Sequence, residues 1–293
     1  MNRRRAAEAG LIVNVIIWGA TFVVVKAALR DVSPILFIAL RFTLATAVLL
    51  AAFRGAALPW RSWKTAGAGA LAGAFLFSGY VFQTMGLRLT TAPRSAFITG
   101  LTSVAVPFLS ALVFRVKPQV SEVVGVLIAT AGLALMTLPG VLGPMGLGDL
   151  LTVCCAAGFA AHIVTLGHFS ETMSYELLSV SQIAAAAVLG WTLFSWVERP
   201  RVAWRPAVVW GILIRGLLAT ALAFSIMAWA QRYVSPARTA LIFMLEPVIA
   251  WLTSYWLAGE GLSGRAAAGA ALILGGVAMV ELKPLNPRPH QSL

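Results

Sequence analysis

Apolar residues run along this chain in long blocks, and polar or charged residues collect in short breaks between them. A bilayer core takes roughly 20 apolar residues per helix. Ten windows meet that requirement: Gly10–Arg30, Ser33–Phe53, Thr65–Leu87, Thr91–Phe114, Gln119–Leu138, Gly148–Phe169, Tyr175–Val197, Ala207–Gln231, Ser235–Leu257 and Leu262–Glu281. The breaks carry turn residues, among them Pro34, Pro59, Pro118, Gly140, Pro144, Pro200, Pro206 and Pro236. None is long enough for a soluble domain. The pattern predicts an all-α polytopic membrane protein of ten transmembrane helices.

The pattern also repeats. Sliding the chain by 144 residues sets Arg94-Ser95-Ala96 on Arg238-Thr239-Ala240 without a gap, then Ile98 on Ile242, Leu101 on Leu245, Val104 on Val248 and Ser110 on Ser254. The same slide carries Gly125 and Gly132 onto Gly269 and Gly276. Near the start of each half an offset of 141 fits better, setting Trp18 against Phe159 and Arg41 against Gln182. The chain divides into residues 1–139 and 140–293, five spans each. Five is odd, so the second unit starts from the opposite side of the membrane. Inverted repeats of this kind predict alternating access around a site near the midplane.

Composition agrees with the spans: 60% of the 293 residues are hydrophobic and only 11% charged, against about 25% charged in ordinary soluble domains. The formal net charge of +12 would point to nucleic acid in a soluble protein. Here most Lys and Arg fall between apolar runs, where they set topology and meet lipid headgroups, so a bilayer and not a nucleic acid is the expected partner. With a cytoplasmic N-terminus the inside loops hold Arg3, Arg4, Arg5, Arg54, Arg61, Lys64, Arg115, Lys117, Arg232, Arg238, Lys283 and Arg288. The outside loops then hold Arg30, Arg88, Arg94, Arg199, Arg201, Arg205 and Arg265. That bias places both termini in the cytoplasm. Met1-Asn2-Arg3-Arg4-Arg5 is basic, but the apolar run after it is too long for a signal-peptide core, and no cleaved leader is expected. Cys154 and Cys155 are adjacent and diverge by about 100° on a helix, so neither a disulfide nor a metal site is indicated.

TAPRSAFITGLTSVAVPFLSALVF and SPARTALIFMLEPVIAWLTSYWLAGEGLSGRAAAGAALILGGVAMV resemble the fourth–fifth and ninth–tenth spans of the EamA repeat, and Trp18-Gly19-Ala20-Thr21-Phe22 resembles the start of its first span. That repeat belongs to the drug/metabolite transporter superfamily, and the likeness covers nearly the full chain. The first half departs from the pattern, with Thr102-Ser103 where the second has Glu246-Pro247, and Arg115-Val116 where the second has Gly259-Glu260. The resemblance implies a carrier of the bacterial inner membrane, often an exporter of amino acids or related metabolites.

Polar side chains inside a bilayer are costly, about 2.5–3.5 kcal/mol for an ionised residue at mid-span, and so mark cavities or partners. The first span offers a stripe of Asn14, Trp18, Thr21 and Phe22, answered on the sixth by Cys155, Phe159, His162 and Ile163. Tyr80 and Gln83 share a face of the third span, answered by Phe224 and Met227 on the eighth. Thr99, Thr102 and Ser103 cluster on the fourth, answered by Phe243, Glu246 and Pro247 on the ninth. Asn14, Trp18, Thr21, Tyr80, Gln83, Thr99, Ser103, Phe159, His162, Phe224, Met227 and Phe243 are the expected lining of a substrate cavity. Its aromatic, hydroxyl-rich wall suits a small amphiphilic or zwitterionic solute better than a polyanion. Arg41, Arg215, Glu246 and Pro247 are expected to gate or clamp helices. Three readings of Glu246 stand: a neutral hydrogen-bond donor, a partner of Arg41 or Arg215, or a binder of ammonium or a coupling proton. Gly125, Gly132, Gly269 and Gly276 read as packing contacts that make the fifth and tenth spans scaffold.

An exporter of drugs or quaternary cations is the alternative within transport. A membrane enzyme would need a cluster of His, Asp or Glu around a nucleophile, and mid-span Asp is missing. No phosphate-binding loop is present, so the expectation is a secondary transporter with a small-molecule substrate and no cofactor or metal.

Overall fold

The computed structural model describes residues 3–54, 63–115, 118–137, 144–258 and 263–281. Chain order runs α1 (Arg3–Ala28), α2 (Pro34–Ala52), α3 (Trp63–Leu87), α4 (Ala92–Gly100), α5 (Thr102–Phe114), α6 (Val120–Thr137), α7 (Leu147–Ser170) and α8 (Tyr175–Val197). It continues with α9 (Pro206–Gly216), a π-helical segment (Leu217–Leu222), α10 (Ala223–Ala230), α11 (Pro236–Phe243), α12 (Glu246–Ala258) and α13 (Gly264–Glu281). Nine helical stretches among the described residues are long and apolar enough to cross a membrane. The 26-residue α1 precedes them, at 1.5 Å per residue also long enough to cross. The protein is an all-helical, multi-pass membrane protein.

The starts of the spans follow local chemistry. Pro stands in the first turn of α2, α9 and α11, where its missing N–H costs nothing. Ser174 and Ser235 cap α8 and α11 by accepting from the N–H groups of Leu177 and Arg238 (3.3 and 3.2 Å). Exposed Leu112, Trp196 and Trp256 turn outward, as side chains facing acyl chains do.

Three expected spans are broken. The fourth consists of α4 and α5, and the ninth of α11 and α12. At the breaks Leu101 N–H donates to Ile98 O (3.1 Å) and Leu245 N–H to Ile242 O (3.0 Å), tightening one turn to an i→i−3 bond. Both bonds stand 144 residues apart. Pro247, expected to gate or clamp a helix, stands near the break in the ninth span, but the fourth breaks at the matching point without a proline. Pro247 instead occupies the second position of α12, where an N–H has no helical acceptor. The eighth span is interrupted by the π segment, a widening that leaves no mark in the apolar pattern.

Between lipid-bathed helices apolar burial supplies little attraction, so close backbone approach must do it. The α6–α13 contact shows this. A Cβ on Gly125 would fall 2.8 Å from Gly276 O, and one on Gly276 would fall 2.6 Å from Gly125 O. Gly132 and Gly269 stand in the same reciprocal relation, each against the other's carbonyl at 2.5 Å. Most of the remaining core packs Phe42, Leu76, Leu178, Ile183 and Met227 between α2, α3, α8 and α10. The expected Gly259-Glu260 motif and the loop cations Arg61, Lys117, Lys283 and Arg288 lie outside the described residues.

Candidate functional site

On α1, Asn14, Trp18 and Thr21 form one stripe against the irregular eighth span. Asn14 Nδ2 donates to Ala223 O (2.7 Å) and Trp18 Nε1 to Ala219 O (2.9 Å). Donors four residues apart thus meet carbonyls four residues apart, at and just after the widened turn. Within that turn Thr220 Oγ1 donates to Arg215 O (2.7 Å). The Trp18 ring packs 5.6 Å from Phe224 and edge-on, 4.9 Å, to Phe243. Arg215 Nη1 reaches Thr21 Oγ1 (2.9 Å).

The opposite wall repeats the theme. Tyr80 packs edge-on to Phe159 at 5.2 Å and to Phe42 at 5.8 Å, and the Arg41 guanidinium lies 4.4 Å from the Tyr80 ring centroid. By the offsets found in the sequence, Phe159 answers Trp18 and Tyr80 answers Phe224. The Tyr80–Phe159 contact is therefore the counterpart of the Phe224–Trp18 contact.

The two broken spans lie near this centre. Thr99 Oγ1 stands 3.8 Å from Cys155 Sγ, and Thr102 Oγ1 donates to Ala156 O (3.3 Å). Ser103 Oγ donates to Ala240 O (2.8 Å), joining α5 to α11. Glu246 opens α12, where a carboxylate meets the positive end of the helix dipole. It lies within electrostatic range of Arg215, as do Arg41 and Tyr80.

Exposure separates the candidates into two groups. Asn14, Thr21, Arg41, Ser103, His162, Phe224 and Met227 are buried. Trp18, Tyr80, Gln83, Thr99, Phe159, Arg215, Phe243, Glu246 and Pro247 keep part of their surface open. His162 is held by Gln182, with Nε2 2.7 Å from Oε1, and its ring lies 5.7 Å from Phe224. Among the described residues no group of three His, Cys, Asp or Glu is placed to hold a metal. An apolar pocket of about 210 Å³ adjoins the site laterally, between Ile12, Ile16, Leu245, Val248, Ile249 and Leu274.

Two ion clusters occupy the ends of the bundle. Arg238, expected in a loop, sits in the first turn of α11 and is fully buried. Its Nη1 lies 3.4 Å from Glu8 Oε1, its Nε 3.5 Å from Glu281 Oε1, and Nη2 donates to Val280 O. It is buried because two carboxylates and a helix-end carbonyl replace its hydration. Arg94 Nη2 lies 3.1 Å from both Asp149 Oδ2 and Pro144 O. Asp149 in turn accepts from Thr90 Oγ1 (2.7 Å) and Gly146 N–H (2.9 Å). With ten crossings in order, the starts of α1 and α11 fall at one end and the starts of α4 and α7 at the other. Neither pair is among the sequence expectations, although the 144 offset sets Arg94 on Arg238 and the 141 offset sets Glu8 on Asp149.

Comparison with known proteins follows the same outline. The profile of the EamA-like transporter family matches residues 6–138 and again residues 146–282. An "Uncharacterized transporter" of Archaeoglobus fulgidus is 34% identical over 281 residues, 96% of this chain and 87% of its own length. The "Uncharacterized inner membrane transporter YedA" of Escherichia coli K12 is 26% identical over 257 residues, 85% of this chain and 81% of its own. The "Uncharacterized transporter YoaV" of Bacillus subtilis is 22% identical over 279 residues, 92% and 94% respectively. A crystal structure 21% identical in sequence superposes with a TM-score of 0.83 over 95% of this chain and 97% of that one, a likeness of fold.

Proposed function

Because the chain belongs to the EamA-like transporter family, and is thus a membrane transporter of small molecules, we propose that it is a secondary carrier exporting amino acids or similar small metabolites across a bacterial inner membrane. It works by alternating access between two inverted units, residues 1–139 and 140–293, with both termini cytoplasmic. One observation carries this reading: contacts recur at the sequence offsets, and the two Arg–carboxylate pairs recur at opposite ends of the bundle. Arg94 of the first unit pairs with Asp149 of the second, and Arg238 of the second with Glu8 of the first. Each pair is a latch between units, and releasing one while keeping the other opens the centre to one side only.

The solute site lies among the partly open side chains at mid-depth. Trp18, Tyr80, Phe159 and Phe243 supply ring faces for an apolar portion; Gln83, Thr99 and Arg215 supply hydrogen-bonding groups. Asn14, Ser103, His162 and Met227 support these from behind. The alternative, export of a quaternary cation, is disfavoured by two guanidinium groups beside one carboxylate.

Efflux from proteoliposomes loaded with single amino acids tests the reading. At least one of leucine, phenylalanine, threonine or glutamine leaves faster than from protein-free vesicles, and Trp18→Ala and Gln83→Ala slow it. Unaltered efflux in both variants would remove the proposed lining.

A further inference from the structure

Three charged side chains stand near mid-span at the centre: Arg41 on α2, Arg215 at the end of α9, and Glu246 at the start of α12. Arg41 is only 2% exposed and makes no hydrogen bond or ion pair among the described residues. Its Nε and Nη2 are sealed from solvent without a partner. Its Cζ lies over the Tyr80 ring, 4.4 Å from the centroid, a contact that supplies no hydrogen-bond acceptor in the plane of the fork. Arg215 uses Nη1 on Thr21, and its Nε is likewise buried without a partner. A Cβ on Gly216, next to Arg215, would fall 3.3 Å from Arg41 O, so the two arginines stand on packed turns, and Arg41 and Glu246 are the charged groups that act on Arg215 among the described residues. Whatever the charge on Glu246, the three together are net positive.

The other half shows what is missing. The counterpart of Arg41 is Gln182, whose Oε1 is joined to His162 at 2.7 Å. The counterpart of His162 is Thr21, which is shorter and already engaged by Arg215. One half joins its polar pair through Gln182 Oε1, leaving only the neutral Nε2 without a partner, and the other leaves a charged guanidinium fork open. Buried guanidinium without a counter-charge is strongly disfavoured in a membrane interior, and its five donors match a carboxylate held by two parallel bonds.

We infer that Arg41 and Arg215 form a carboxylate subsite, so that the transported solute is a small organic acid whose carboxylate is required and whose amino group is optional. The inference rests on the carrier reading and narrows it. An amino acid sets its carboxylate on the two arginines, its ammonium toward Glu246 and its side chain among the rings. A carboxylate of the same shape without the amine keeps the first and third of these contacts.

The test uses full-length protein in nanodiscs and proteoliposomes with four isosteric probes: leucine, 4-methylpentanoate, 3-methylbutylamine and leucinamide. Thermal unfolding reports binding, and efflux of each labelled probe in excess of that from protein-free vesicles reports transport. Leucine and 4-methylpentanoate are expected to stabilise and be carried, while the amine and the amide are weaker by at least about tenfold, the scale of a lost charge-assisted bond. Arg41→Gln and Arg215→Gln are expected to erase that discrimination, and Arg41→Lys to restore part of it. Unliganded unfolding of each variant separates lost binding from lost fold. If the amine is carried as well as the acid, the carrier reading stands and the subsite falls. If chloride or inorganic phosphate stabilises through Arg41 as strongly as 4-methylpentanoate does, the arginines hold a resident inorganic anion and the subsite falls. If no probe is bound or carried, the subsite falls, while the amino-acid reading is decided by the efflux panel of leucine, phenylalanine, threonine and glutamine.

Discussion

Arg94 on α4 and Asp149 on α7 meet at 3.1 Å across the interface of the two halves, and Arg238 and Glu8 repeat the relation at the far end at 3.4 Å. The pairs are related by the offsets that align the two halves of the sequence, and in the proposed inverted arrangement they are equivalent devices at opposite ends of the bundle. Their surroundings differ. Both arginines meet a backbone carbonyl, but Arg238 has a second carboxylate, Glu281, whereas Asp149 is held further by Thr90 and a backbone N–H.

Under the proposed alternating access, releasing one latch should expose the centre from one side only. In a background with Cys154→Ala and Cys155→Ser, a reporter Thr99→Cys is expected to react with a membrane-impermeant maleimide. Arg94→Gln should raise that rate several-fold from the side of the α4 start. Arg238→Gln should raise it from the side of the α1 start. Labelling from the same side in both variants would contradict the inverted arrangement.

The glycine ladder between α6 and α13 tolerates no side chain. Gly132→Ala and Gly276→Ala set a methyl against a backbone carbonyl and should destabilise the protein by about 1–3 kcal/mol, the usual cost of overpacking. Gly275→Ala, one residue away with nothing within 4 Å, should be neutral or gain up to about 1 kcal/mol of helix propensity. Thermal unfolding in detergent distinguishes them. Equal behaviour of Gly275→Ala and Gly276→Ala would deny the close approach.

His162 and Gln182 act as a pair. Removing either alone leaves the other's buried polar group unmet, at about 1–3 kcal/mol, while replacing both by apolar residues should cost less than the sum. A double-mutant cycle on His162→Leu and Gln182→Leu reads this from unfolding. Additive losses would mean that the 2.7 Å contact contributes nothing by itself.

Trp18 holds the widened turn as well as lining the site. Trp18→Phe keeps the ring contacts with Phe224 and Phe243 but leaves Ala219 O without its donor, so it should lower stability by about 0.5–1.5 kcal/mol. Phenylalanine retaining full stability would mean that the π segment stands without help from α1.

The spans were legible because a bilayer demands runs of about twenty apolar residues, and the runs are there to count. The matching breaks at Leu101 and Leu245 were not, since an i→i−3 turn needs no distinctive residue, and Pro247 drew attention to one copy only. The π segment Leu217–Leu222 was invisible for the same reason: Leu-Leu-Ala-Thr-Ala-Leu is as good an α-helix as any. At the centre, polarity within apolar runs picked out the side chains that meet, but not what each meets. Asn14 and Trp18 spend their donors on backbone carbonyls, which carry no sequence signature. Arg94 and Arg238 read as loop cations because they lie at span ends; what buries Arg238 is the arrival of Glu8 and Glu281 from the two termini of the described chain.

Counterflow tests the carrier most directly. Proteoliposomes preloaded with the unlabelled amino acid that leaves fastest in the efflux panel and diluted into a trace of the same labelled amino acid should accumulate label transiently above its equilibrium level, and the Arg215→Gln protein should lose that overshoot. Label that only equilibrates, or an overshoot untouched by Arg215→Gln, would contradict exchange through the central site.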